Sequence, residues 1–181
     1  FYNCRGLESL TIGDNSIESV TESAFANCTG LRYVAIGDSV KSIGKNAFQG
    51  CSSLTEINIG DNVASIGETA FSNCTSLPEI ILPDNVTDIA YRAYYNCANL
   101  MSVTLGKNVT IIGDEAFSQC YKLLEVCNNS ALSIEENGTG NGRIGLYALN
   151  VYSDEEGQSQ YIDTEDGFRF YYDKTTAYLV G

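Results

Sequence analysis

The sequence predicts a repeat solenoid, and three observations predict it. Cys4, Cys28, Cys51, Cys74, Cys97 and Cys120 recur every 23 residues, with one 24-residue step at the start. Around them run an aromatic column (Phe1, Phe25, Phe48, Phe71, Tyr94, Phe117) and a leucine column (Leu7, Leu31, Leu54, Leu77, Leu100, Leu123). Each copy also ends in a short alternating apolar stretch. Self-similarity at this period marks units too small to bury an apolar face alone, which do so against the next unit.

Within one copy, Leu31-Arg32-Tyr33-Val34-Ala35-Ile36 alternates apolar Val34 and Ile36 with Tyr33 and Ala35, the period of a half-buried strand. Equivalent strands are expected at 8–12, 55–59, 78–82, 101–105 and 124–127, stacked as a parallel ladder roughly 25–30 Å long at about 4.8 Å per strand. A turn follows each strand, as in Gly37-Asp38-Ser39, Gly60-Asp61-Asn62 and Pro83-Asp84-Asn85, where Gly and Asn accept positive φ and Asp caps nearby amides. The extra residue of the first copy, near Ser16, falls in this turn. Val40-x-x-Ile43-Gly44 then forms a short extended stretch on the opposite wall. Asn46-Ala47-Phe48-Gln49-Gly50-Cys51 is too short for an independent helix and is expected to make one helical or 3-10 turn with Phe48 and Cys51 pointing inward.

The phrase Ala24-Phe25-x-x-Cys28-x-x-Leu31-x-x-Val34-x-Ile36, a Gly-Asp turn and then Val40-x-x-Ile43-Gly44 resembles the BspA-like bacterial leucine-rich repeats, over Phe1 to about Val126. The resemblance implies a right-handed β-solenoid with a strand ladder on one face. It also implies a surface-exposed or secreted protein that adheres to host or neighbouring cells. Residues 1–127 are assigned to the repeat array. Residues 128–181, rich in tyrosine, form a segment that caps the array or joins it to another. Phe168-Arg169-Phe170-Tyr171-Tyr172 and Ala177-Tyr178-Leu179-Val180 are expected to pair as a hairpin. Because Phe1 enters in mid-phrase and the last residues run on apolar, the chain is expected to be an excised piece of a longer protein.

Composition narrows function. A net charge of −13 repels phosphate backbones and anionic bilayers, so binding to nucleic acid or a membrane surface is not expected. No run approaches the roughly 18 apolar residues of a membrane span, so no membrane insertion is expected. The chain has no histidine and no C-x-x-C pair, and one thiol per coil makes a line where zinc needs four converging ligands, so no metal or other cofactor is assigned. The thiols are expected to fill a narrow slot in each coil as small hydrophobes, with disulfides between neighbouring coils a minority. Asp14, Asp38, Asp61 and Asp84 repeat in the turns and are assigned turn roles ahead of calcium ligation. The N-x-[ST] matches, such as Asn27-Cys28-Thr29, flank the buried column and are by-products of the repeat.

The outer strand face remains. One column runs Ser9, Tyr33, Glu56, Glu79, Ser102 and Glu125, and Glu56 and Glu79 on successive coils are expected about 5 Å apart, the carboxylate separation of a retaining glycosidase. An open ladder excludes no water, so no catalytic residue is assigned. A second column places Cys127 outward with Thr11, Ala35, Asn58, Ile81 and Thr104. Pro78, Ile81, Met101, Leu124 and Cys127 gather as an apolar patch that the C-terminal tail is expected to cover. Arg32, Tyr33, Glu56, Glu79, Ile81, Met101 and Glu125 are the expected contacts to a surface protein or glycan of a host or neighbouring cell. The alternative is a passive spacer within a larger surface protein.

Overall fold

The computed structural model describes residues 1–13 and 17–153, and the backbone of three strands within 160–180. Numbered in chain order, the first wall contains β1 (Ser9–Ile12), β3 (Tyr33–Ile36), β5 (Glu56–Asn58), β7 (Glu79–Ile81), β9 (Ser102–Leu105), β11 (Glu125–Asn128) and β12 (Asn150–Tyr152). The opposite wall holds β2 (Ser19–Val20), β4 (Ser42–Ile43), β6 (Ser65–Ile66), β8 (Asp88–Ile89) and β10 (Ile111–Ile112), paired in order as one five-stranded parallel sheet. The chain is thus a β-solenoid, as the periodicity predicts. The expected insertion near Ser16 lies outside the described residues.

The third side of each coil is a turn rather than a helix. Cys51 N bonds to Phe48 O at 3.2 Å and Gln49 N to Asn46 O at 3.1 Å, the i→i−3 pattern of a 3-10 turn. The intervening amides point elsewhere: Phe48 N reaches Ala70 O of the next coil at 2.8 Å, and Gly50 N reaches Ser72 O at 2.8 Å. A helix cannot propagate here because residues 46 and 50 are left-handed, Asn46 at φ 55° and Gly50 at φ 72°. The same two positions are left-handed in later coils, at Thr69 and Asn73 and at Arg92 and Asn96. Asn suits this position because its short amide tolerates positive φ and bonds locally. Asn96 Nδ2 donates to Asn73 Oδ1 at 2.8 Å, which gives Asn73, the asparagine of an N-x-[ST] match, a structural partner in the next coil.

The core is a set of files running along the solenoid. The rings from Phe1 to Phe117 stack at centroid separations of 5.2–5.4 Å with interplanar angles of 4–12°. The thiols also have a polar role beyond filling space. From Cys28 to Cys120, each Sγ of the file donates to the carbonyl of an aromatic residue in the preceding coil, as Cys51 does to Phe25 O at 3.2 Å and Cys74 to Phe48 O at 3.3 Å. All seven cysteines are free thiols.

Tyr94 is the one exception to phenylalanine in this file, and its ring is fully buried. Its hydroxyl has no hydrogen-bond partner, and burial pushes its pKa well up. A buried unsatisfied hydroxyl costs about 1–3 kcal/mol, so Tyr94→Phe should stabilise the fold by an amount of that order, read as a higher midpoint in urea. An unchanged or lower midpoint would contradict the burial of that hydroxyl.

Register is marked by charge. Glu18–Lys41, Lys45–Glu68, Asp84–Lys107 and Arg92–Glu115 pair at 2.6–3.5 Å, and every one joins residues 23 apart. Water screens such exposed pairs, so they stabilise little. Because the apolar files are nearly identical in every coil, these pairs distinguish the correct stacking from a slip by one coil.

Two features depart from a simple six-coil ladder. The parallel wall continues past residue 127: β12 pairs in parallel with β11, matching Glu125 with Asn150 and Cys127 with Tyr152. Ala148 stands in the leucine file, its amide bonding to Gly145 O as Leu123 N does to Cys120 O. Further on, β14 (Arg169–Asp173) and β15 (Thr176–Val180) pair antiparallel as the expected hairpin, and β13 (Gln160–Asp163) adds a third strand to their sheet.

The second departure is a seam. The first wall consists of two sheets, β1-β3-β5 and β7-β9-β11-β12, with no pairing between β5 and β7. In other coils the residue after the leucine donates its amide to the coil before, as Thr55 N does to Arg32 O at 2.9 Å and Met101 N to Pro78 O at 2.8 Å. Residue 78 is proline and has no amide hydrogen to give to Thr55. Pro83, the other of the chain's two prolines, removes the donor that Gly37 supplies to Ile12 O at 2.8 Å in the second coil. The opposite wall is unbroken at this level, since β6 pairs with β8.

Candidate interaction face

Strand alternation sends Val34, Ile80, Val103 and Val126 into the core and leaves their neighbours on the outside. One outward column is matched in register as Ser9, Tyr33 and Glu56 on the first sheet, and as Glu79, Ser102 and Glu125 on the second, where the buried Asn150 continues the register. Arg32, Glu56 and Glu79 are exposed, while Tyr33 and Glu125 are half-buried. Asn58 Nδ2 donates to the Tyr33 hydroxyl at 3.4 Å, and Thr55 Oγ1 to Arg32 O at 3.1 Å, so the polar groups of this half are tied coil to coil.

Glu56 and Glu79 fall on opposite sides of the seam, on strands that are not paired. Both carboxylates are exposed on an open wall, and neither lines the depressions of about 350 and 370 Å³ that the described residues form around 112–115 and 133–143. A solvated carboxylate pair on an open surface lacks the enclosure that glycoside cleavage uses. In the turns, Asp38 Oδ1 accepts from Asp61 N at 2.8 Å, and Asp84 Oδ1 from Lys107 N at 3.0 Å. These carboxylates cap the next coil, and among the described residues no three acidic or cysteine groups converge as metal ligands. Asp14 lies outside the described residues.

The apolar patch differs from expectation in two ways. Cys127 is buried, because β12 adds a coil beside it with Tyr152 in register, and its thiol lies 3.6 Å from Asn129 Oδ1. The added strand extends the wall sideways and does not lie over it. Ile81, Met101 and Leu124 are 60%, 48% and 43% exposed, and the described part of the tail up to residue 153 does not lie over them; the rest of the tail lies outside the residues whose side chains are described. The structure adds Leu149, 52% exposed, and Tyr121, whose ring meets Tyr147 edge-on at 5.3 Å. Leu149 was hidden in the sequence because Ala148 replaces leucine and no Phe-x-x-Cys precedes it. The available signal was Ala148-x-x-Val151, a weakened copy of Leu-x-x-[VI].

Residues 1–124 match the family model of the BspA type leucine rich repeat region, in 6 copies. The chain belongs to the BspA-type leucine-rich repeat family. Among solved structures, a leucine-rich repeat protein from Bacteroides ovatus is 38% identical with a TM-score of 0.62, over 70% of this chain and 32% of that one. The T. pallidum leucine rich repeat protein is 27% identical with a TM-score of 0.68, over 78% of this chain and 68% of that one. A leucine rich cell surface protein from Faecalibacterium prausnitzii is 27% identical with a TM-score of 0.60, over 90% of this chain and 53% of that one. This BspA-type chain thus spans about a third of the Bacteroides ovatus protein and half of the Faecalibacterium one. No curated protein matches it.

Proposed function

We propose that this BspA-type module is a non-catalytic binding element, displayed at a cell surface or secreted, that holds a protein of a host or neighbouring cell on its outer strand wall. The observation that carries the reading is the wall itself: Arg32, Glu56, Glu79, Ile81 and Met101 stand exposed at fixed spacing on a stacked scaffold. Extended solenoid surfaces of this kind suit recognition of macromolecules, because the backbone is ordered before the partner arrives. Likeness to a leucine rich cell surface protein supports the location.

A passive spacer is the second reading. The unbroken five-stranded opposite wall favours it, since a continuous backbone ladder resists bending.

Binding to an array of immobilised matrix and cell-surface proteins, with glycans alongside, separates the two. The binding module should give saturable signal with at least one protein and lose it in Tyr33→Ala/Glu56→Ala/Glu79→Ala, whose exposed or half-buried sites leave the core intact. Saturable binding to glycans alone would transfer the site to a carbohydrate. No binding at all would favour the spacer.

A further inference from the structure

We infer that the second sheet of the strand wall, from Pro78 to Leu149, is a docking surface of its own for a basic amphipathic helix of a protein partner. This inference rests on the binding reading above and adds the class of ligand.

Backbone bonds fix the geometry. Met101 N bonds to Pro78 O at 2.8 Å, Leu124 N to Met101 O at 2.9 Å and Leu149 N to Leu124 O at 2.9 Å, which places four apolar side chains in one file, one per coil. Met101, Leu124 and Leu149 are each exposed, and Ile81 and Tyr121 are exposed on the same sheet and its preceding turn. Single exposed apolar residues are ordinary on a protein surface, but a contiguous file of them marks an interaction site. The equivalent positions on the first sheet are Glu8, Arg32 and Thr55, so the apolar character begins at the proline seam.

Charge selects the occupant. The neighbouring file in register carries exposed Glu79 and half-buried Ser102 and Glu125, and the chain as a whole carries −13. Lys122 is the nearby cation, and its ammonium donates to Asn99 Oδ1 at 2.7 Å. A second copy of this chain would bring the same negative charge and is disfavoured, whereas a segment with lysine or arginine beside an apolar stripe is complementary. The spacing fits a helix. Coils repeat at about 4.8 Å and helical turns at about 5.4 Å, so residues at i, i+3, i+7 and i+10 of a partner helix would meet the four members of the file nearly one to one.

The test is fluorescence anisotropy of a labelled Leu/Lys amphipathic peptide titrated with the full chain, against a Leu/Glu peptide of the same pattern. The comparison variant is Met101→Ser/Leu124→Ser/Leu149→Ser, which leaves net charge unchanged, and Leu124→Gln alone serves if the triple variant melts differently from the parent. The inference expects saturable binding of the Leu/Lys peptide, at least about tenfold weaker in the variant, a loss of about 1.4 kcal/mol, and no binding of the Leu/Glu peptide. Equal affinity of parent and variant, or equal binding of both peptides, would overturn it. So would concentration-dependent self-association of the chain that the variant abolishes, which would assign the surface to a second copy. If a partner from the protein array is lost with Tyr33→Ala/Glu56→Ala/Glu79→Ala yet kept by the serine variant, the docking surface fails while the binding module stands.

Discussion

Phe71→Ala lowers the unfolding free energy by about 3–5 kcal/mol. The ring is fully buried and lies between Phe48 at 5.2 Å and Tyr94 at 5.3 Å, nearly parallel to both. Truncation removes its transfer energy, leaves a cavity in the middle of the file and abolishes two stacking contacts, each worth about 0.5–1.5 kcal/mol beyond area. Because a solenoid is held by contacts between nearest neighbours, the hole weakens the coil on either side as well. Phe1→Ala is the internal control. That ring is 76% exposed and stacks on one side only, against Phe25, so its loss should cost about a third as much or less. Urea denaturation of both variants measures the difference, and equal midpoints would refute the aromatic file as a source of stability.

The second large effect is alkaline unfolding. Burial pushes Cys51 up to about 12 from 9.0, and pushes Cys74 and Cys97 well above 9.0. The folded chain therefore keeps these protons at pH values where the unfolded chain has released them. Stability is unaffected below about pH 8 and falls as pH rises past 9, because the unfolded state then binds fewer protons than the native one. Each such thiol contributes a slope of about 1.4 kcal/mol per pH unit, so three together give about 4 once pH is well above 9. Tyr94 adds to the loss above pH 10, since its pKa is raised by burial as well. Urea midpoints between pH 8 and pH 10.5 read this directly. A flat profile would mean that the thiol file is open to solvent.

Both expectations start from files visible in the sequence, and most of the fold was legible for the same reason. A 23-residue period repeats every apolar contact, so even weak per-residue preferences add up coherently over six copies. The strand wall, the opposite wall and the inward Phe and Cys all follow from that. The last coil was not legible because small residues replace its markers. Ala148 takes the place of leucine, and Gly142, at φ 62°, lies where a Cβ would come within 2.8 Å of the Ala116 Cβ. The seam was hidden for a different reason. Pro78 is plain in the sequence, but its effect depends on which carbonyl its missing hydrogen would have met, and that requires the register of β5 against β7.

The candidate site was legible as a face but not in its detail. Alternation placed Tyr33, Glu56 and Glu79 outward correctly, and the exposed Ile81, Met101 and Leu124 were already apparent as a cluster. Burial of Cys127 and exposure of Leu149 both depend on the strand at residues 150–152 pairing with β11. Pairing of this kind is a long-range event that local patterns do not encode.

The proposed binding surface is the strand wall and not the opposite wall. The decisive measurement sets two folded variants against one protein partner: Tyr33→Ala/Glu56→Ala/Glu79→Ala on the strand wall, and Lys41→Ala/Ser42→Ala/Ser65→Ala on the other. Affinity should be lost in the first and retained in the second. Loss only in the second, or equal loss in both, would contradict the proposal.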